Sequence, residues 1–181
     1  MGLASRYPHL MGDAFYPAAI EIRTATSDDA DGIAGTFLES AEYHAELDPE
    51  RYSIPAIETI SARYREGRQH PSDTGKATLT LVADHGGEIV GFIDARLDAS
   101  PDPMHQAMTY CHIAEIAVRS RHRNQGIGGR LLRAAEEWGQ GLGAQFASLE
   151  YHTANTRAAL FYQERIGYQP AAITLIKRLR K

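Results

Sequence analysis

The residues best placed by type and spacing to do chemistry lie in "RNQGIGGR", residues 123–130, where three glycines fall within four positions, Gly126 to Gly129. Glycine lets the backbone take positive φ and approach a ligand closely. The stretch ends an apolar run, "HIAEIAVR" (112–119), and opens a segment in which Ile127, Leu131, Ala135, Trp138 and Leu142 recur at helical spacing. A strand, a tight turn and a helix start therefore meet here. The first N–H groups of a helix have no internal partner and carry partial positive charge. With glycines before them they make a cradle for an anion, and a phosphate is the obvious guest. Arg119, Arg121, Arg123 and Arg130 add attraction for a polyanion. The run lacks the Gly-Lys-Ser/Thr of a P-loop. It also lacks the third glycine of the dinucleotide fingerprint, because Leu131 stands in that place. What it does contain is R-x-x-G-x-G, from Arg123 to Gly128. A plain glycine-rich connection without a ligand is the alternative, and four arginines argue against it.

Around this turn the chain reads as one domain, 18–181, behind an N-terminal extension, 1–17. "AIEIRTAT" (19–26) alternates and forms a first strand; Ser27 is the expected N-cap of a helix carrying Ile33, Phe37 and Ala41 on one face. A second helix covers 55–67, and "RQHPSDTG" (68–75) is a loop. "ATLTLVAD" (77–84), "HGG" and "EIVGFIDARLD" (88–98) form a hairpin. Strand 107–119, helix 127–140, strand 144–152, helix 155–167 with Gly167 as its stop, and a last alternating strand, "ITLIKRLRK", complete the chain. Strand runs and βαβ units both occur, so the fold class is α/β of the α+β type: a mixed, mostly antiparallel sheet flanked by helices.

Composition narrows the function. At 181 residues a sizeable core can form. A net charge of −4 gives no general attraction to nucleic acid or anionic membrane, so neither is expected as a partner. No run of 18 apolar residues marks a transmembrane helix, and the N-terminus has no apolar signal core, so a cytoplasmic location is expected. The single cysteine, Cys111, sits in an apolar run and reads as a core residue. His44 and Glu46 form only an H-x-E pair, too little for a metal site, and no metal is expected.

"IAEIAVRSRHRNQGIGGRLL" resembles the coenzyme A-binding signature of the GNAT superfamily, the acetyl-coenzyme A-dependent N-acetyltransferases. "NTRAALFYQERIGYQP" is similar to that family's second signature, about 30 residues downstream, and the element order matches from residue 19 onward. The resemblance implies a sheet splayed between its fourth and fifth strands, with acetyl-CoA as cosubstrate in the gap. It implies that Gln125 to Gly129, with Ile127 and Gly128 among them, hold the pyrophosphate, flanked by Arg123 and Asn124. Ile116, Ala117 and Val118 would pair with the pantetheine arm, and Asn155 and Ala158 would meet it from the other side. Tyr162 would be the general acid at the thiolate, although a tyrosine at such a helical position is also an ordinary half-buried aromatic.

The base is less marked. An alkyl ammonium has a pKa near 10.4 and must lose a proton before it attacks. Glu115 is the first choice, on the face opposite Ile116 and Val118 by alternation; a bulge could swap the faces. His112 and Glu150 stand behind it. Glu42, His44, His112 and Glu150 are the candidate acceptor contacts, though charges on a helix such as 27–47 are commonly a solvated face. The expected reaction is acetyl transfer to a primary amine of a small molecule by direct attack in a ternary complex. A protein lysine or N-terminal acetyltransferase, and a non-catalytic acyl-coenzyme A-binding module, are the alternatives. A homodimer is compatible with all three.

Overall fold

The computed structural model describes residues 19–67, 76–100, 104 and 106–179. The expected extension 1–17 and the loop 68–75 lie outside them. The elements in order are β1 (Ile20–Thr24), a 3-10 turn (Ser27–Asp29), α1 (Ala30–Leu47), α2 (Ile57–Arg65), β2 (Thr78–His85), β3 (Glu88–Ala99), β4 (Thr109–Val118), a second 3-10 turn (Ser120–His122), α3 (Ile127–Gly141), β5 (Phe146–Leu149), α4 (Thr156–Ala159) and a π-helical turn (Leu160–Ile166). The strands form one sheet in the order β1-β2-β3-β4-β5. The first three pairings are antiparallel and β4–β5 is parallel, the mixed sheet the sequence implies. Gly86 and Gly87 both take positive φ, which matches the twist a two-residue hairpin needs between β2 and β3.

Two features of β4 create the space for a site. It pairs with β5 only over Tyr110–Ile113, so the edge beyond Ile113 is left open on that side. The sheet therefore splays between its fourth and fifth strands, as expected. The register with β3 also shifts: Asp94 faces Glu115, while the next residue, Ala95, faces Ile113. Ala114 is the extra residue of a bulge. Strict alternation would put His112 and Glu115, three apart, on opposite faces; the bulge puts them on the same one.

Helices cover both faces of the sheet. Ile33, Ala34, Ile60 and Tyr64 of α1 and α2 pack with Val82, Ile89 and Phe92 on one side. Ile127, Leu131, Leu132 and Ala135 of α3 pack with Leu81, Val90, Ile93, Cys111 and Ile113 on the other. Successive residues of β2 and β3 point to opposite faces, so a strand buried on both sides reads as a continuous apolar run. Cys111 is a core thiol, as expected, and burial pushes its pKa up to about 11.

Three sequence expectations change. Thr26, not Ser27, is the N-cap: its N–H donates to Asp29 Oδ2 at 2.7 Å, and Ser27 begins the 3-10 turn. The last helix is α only over its first four residues and then widens to π geometry. Gly167 still ends it at φ +97, where its N–H and that of Tyr168 both donate to the Tyr162 carbonyl. The expected last strand does not form over 173–179. Ile173, Leu175, Ile176 and Leu179 are 67–89% exposed, and Arg178 instead pairs with Glu50. Alternation marks a segment able to be a strand, but a strand also needs a ladder partner, and no described strand pairs with this one.

Candidate functional site

A cleft of about 750 Å³ opens where β4 parts from β5. Its floor is the open stretch of β4 from Ile113 to Val118. The start of α3 closes one end, and α4 with the π turn forms a wall facing Ser40, Tyr43 and His44 of α1. These three share one face of α1 because they stand three and four positions apart.

At the α3 end, Asn124 and Gly126 both adopt left-handed backbone, φ +62 and +78. A Cβ on Gly126 would meet nothing within 4 Å, so glycine is required there by conformation and not by crowding. No side chain caps α3, which leaves its first N–H groups available. Gly128 is different: a Cβ there would lie 3.2 Å from the Phe161 ring, so this glycine lets α3 approach the π turn. Arg123, Arg130, Arg133, Arg157 and Arg165 all line the cleft. Burial holds Arg123 somewhat below its usual pKa while its Nε donates to the Val118 carbonyl at 2.9 Å. An uncapped helix start, open space before a left-handed glycine and a ring of cations fit the diphosphate of a coenzyme A.

Along the wall, Asn155 is the N-cap of α4. Its Oδ1 accepts from the Ala158 N–H at 3.0 Å and from the Tyr43 hydroxyl at 3.4 Å. Tyr162 sits in the π turn, 9% exposed, ringed by Tyr151, Phe161 and Tyr168 at 5.2 to 6.1 Å between ring centres. Its hydroxyl has no hydrogen-bond partner among the described residues. Burial, then the Glu115 charge, pushes its pKa up to about 12, so it is a protonated donor at neutral pH.

On the floor, Glu115 is pushed up to about 7, first by burial and then by the Asp94 carboxylate across the ladder, with Arg63 pulling the other way. A carboxyl in that range exchanges a proton near neutrality. The acceptor side continues into aromatic and acidic groups. The Arg157 guanidinium lies 4.9 Å from the centre of the Tyr43 ring, the Tyr52 ring stands between His44 and His152, and His152 Nε2 is 3.4 Å from Asp48 Oδ2.

Residues 39–168 match the family described as Acetyltransferase (GNAT) family. The chain belongs to the GNAT acetyltransferases. It is 30% identical over 92 residues to the N-terminal acetyltransferase A complex catalytic subunit NAA10 of Arabidopsis thaliana, covering 50% of this chain and 45% of that one. It is 25% identical over 150 residues to the uncharacterized N-acetyltransferase YhfO of Bacillus subtilis, covering 83% and 90%. The first two curated relatives, both from plants, are matched over less than half their length, 45% and 26%. Among solved structures, a variant of the BH1408 protein of Bacillus halodurans shares the fold at TM-score 0.77 and 22% identity, over 88% of this chain and 99% of that one. The aminoglycoside N-acetyltransferase AAC(6')-Iy in complex with CoA shares it at TM-score 0.62 and 18% identity, over 91% and 97%.

Most residues singled out by the GNAT resemblance meet in this cleft: Ile116, Ala117, Val118, Arg123, Asn124, Gly126, Ile127, Gly128, Gly129, Asn155, Ala158 and Tyr162, with Glu115, His44 and Glu150. Three do not line it. The Gln125 side chain folds back toward the Arg121 carbonyl, at 3.4 Å, which leaves its expected role, a backbone N–H at the turn, untouched. Glu42 is exposed, since it points about 160° away from the Ser40, Tyr43 and His44 face of α1. His112 shares the Glu115 face but is held by Ser148 Oγ at 3.1 Å, and burial holds its pKa below the usual value. Two of the four expected phosphate arginines, Arg119 and Arg121, do not line the cleft, whereas Arg130 lines it although its Nη2 donates to the Ile20 carbonyl at 2.8 Å. Arg119 Nε donates to the Ile89 carbonyl at 2.9 Å, and Arg121 pairs with Glu88. Sequence reasoning missed Tyr43, Arg133, Arg157 and Arg165 as cleft residues. An apolar-face reading of α1 could have flagged Tyr43, but nothing local flags the arginines.

Proposed function

We propose that this protein moves the acetyl group of acetyl-CoA to a primary amine of a small molecule by direct attack in a ternary complex. One observation carries the reading. Glu115 and Tyr162, on separate elements 47 positions apart, border the same cleft beside the open edge of β4. The backbone start of α3 and its arginines would hold the diphosphate, and Asn155 would steady the pantetheine arm. The thioester then lies along the free edge of β4, where an N–H near Ile116 would donate to the carbonyl oxygen as it becomes negative.

Glu115, ionised in a good fraction of molecules at neutral pH, takes a proton from the acceptor ammonium. The freed amine attacks the carbonyl carbon, forming the C–N bond. Collapse breaks the C–S bond and releases the CoA thiolate, to which the Tyr162 phenol hydrogen-bonds and passes its proton; the surplus proton left on the new amide nitrogen departs through cleft water and restores the phenol, and Glu115 returns its proton to solvent. The bulge at Ala114 matters because it fixes the face on which Glu115 stands. Acidic Glu115 and Glu150, with His44 and Tyr43, favour a cationic acceptor over an anionic one. A structure of AAC(6')-Iy with a bisubstrate analogue, CoA-S-monomethyl-acetylneamine, supports a small amine as the acceptor class. The likeness to a plant N-terminal acetyltransferase subunit favours a second reading, a peptide α-amine as acceptor.

Thiol release from acetyl-CoA across a panel of polyamines, aminoglycosides, amino acids and short peptides tests the proposal. A small amine should support turnover, and Tyr162→Phe should lower kcat by about 10- to 100-fold with CoA affinity kept. Turnover with peptides alone would establish the second reading. Tight CoA binding without turnover on any amine would leave only a binding module.

A further inference from the structure

We propose that Asp94 is a positioning residue for the transfer: a buried, ionised carboxylate that faces Glu115 across the β3–β4 ladder and, against Arg63, sets how readily Glu115 takes a proton. The inference rests on the proposed role of Glu115 as base. Asp94 is 1% exposed and stands in register with Glu115, roughly 5 Å between Cα atoms for such a pair. Like charges directly opposite in a sheet are unfavourable. Two carboxyls here therefore divide the work, one staying ionised and the other holding a proton more firmly.

The hydrogen bonds show which is which. Asp94 Oδ2 accepts from the Tyr64 hydroxyl at 2.6 Å, and Oδ1 accepts from Thr80 Oγ1 at 2.8 Å. Arg63 Nη2 lies 3.9 Å from Asp94 Oδ2. Glu115 accepts no hydrogen bond from a described residue. Both hydroxyl donors, Tyr64 and Thr80, serve Asp94, and donors to a carboxylate favour its charged form. Burial and then the adjacent Asp94 carboxylate push the Tyr64 phenol's pKa upward, so the hydroxyl keeps its proton and stays a donor.

Arg63 supplies the opposing charge. Its Nε and Nη2 are shielded from water and make no hydrogen bond, so it acts on the two carboxyls mainly through its charge. It also stacks near the Tyr64 ring, 5.3 Å from the centroid. Without Asp94, this cation would lower the Glu115 pKa against the burial that chiefly raises it, leaving a weaker base. Tyr162 faces Glu115 from the π turn, and His44 and Glu150 border the same cleft from α1 and the end of β5. None of these sits opposite Glu115 in the ladder as Asp94 does.

The test is a pair of charge deletions with opposite expected signs. The Glu115 carboxyl is titrated by 13C NMR, and the acid limb of kcat/KM is measured by thiol release. Asp94→Asn should move both downward by on the order of one pH unit, and Arg63→Met should move both upward by a similar amount. Tyr64→Phe, which keeps the ring but removes the donor to Asp94, should shift the titration less than either. A purely structural role for Asp94 would lower activity without moving the titration. If Asp94→Asn does not fold, Arg63→Met and Tyr64→Phe still decide, because an unmoved titration in both overturns the proposal. Glu115→Gln separates the two claims. Full activity with an unchanged acid limb in that variant would sink the base reading. Loss of both there, with titrations unmoved in the other variants, would sink the Asp94 proposal alone.

Discussion

Replacing Glu115 with glutamine should stabilise the protein in mild alkali and leave it unchanged in acid. The carboxyl is held at about 7 against an ordinary 4.5. Between those values the native chain keeps a proton that the unfolded chain has released. The contribution is therefore fully present below pH about 4.5 and is lost as pH rises through about 7. At about 1.4 kcal/mol per pH unit, the wild type forfeits about 3 kcal/mol by pH ~8. Contact of the carboxyl with cleft water makes this an upper bound. Glutamine keeps the shape without the titrating proton, so it escapes the loss. Urea unfolding of both proteins from pH ~4.5 to ~8.5 measures the effect, and taking the difference removes every other titrating group. The gap should widen between pH ~4.5 and ~7 and then level off, in the direction opposite to activity. A gap that stays flat across the range would show that the native carboxyl titrates like an exposed one, and the base assignment would lose its physical ground.

Asp29 behaves with the opposite sign. Arg23 and the Thr26 N–H hold it down to about 2, so its stabilisation is present above the ordinary carboxylate range and lost as pH falls toward 2. Asp29→Asn should cost about 2 kcal/mol at pH ~7 and nearly nothing near pH ~2, by thermal unfolding. Gly126→Ala should cost about 1 to 2 kcal/mol through its left-handed backbone; calorimetry should also show CoA binding weakened roughly tenfold or more as a methyl enters the diphosphate space. Gly139→Ala should destabilise by about 1 to 3 kcal/mol because its Cβ would lie 2.5 Å from that of Cys111, while CoA affinity in the folded variant stays put.

Much of the site was legible locally. The glycine turn at 126–129, the helix start behind it and the tyrosine at 162 are written in short-range pattern, and the structure brings them to one cleft. The arginines around the turn were only half legible. Arg119 and Arg121 are the same residue type as Arg123 and Arg130, yet only the latter two line the cleft; the Ile89 carbonyl and Glu88, distant in sequence, hold the first two. The His112 side chain is likewise engaged by Ser148, a neighbour the local pattern does not contain.

By itself the sequence determined, to within two or three residues, where most helices and strands begin, because caps, glycines and apolar periods act over three or four residues. It marked the glycine turn proposed as an anion cradle, which needs only a strand end, a left-handed turn and the next helix. Tertiary structure alone decided the rest. The bulge at Ala114 appears only when β4 is laid against β3, and with it the pairing of Asp94 with Glu115, 21 positions away. The end of the sheet was likewise decided in three dimensions: residues 173–179 carry a strand's alternation, and without a ladder to join they remain unpaired. Alternation says which residues share a face, but the partner strand says which face that is.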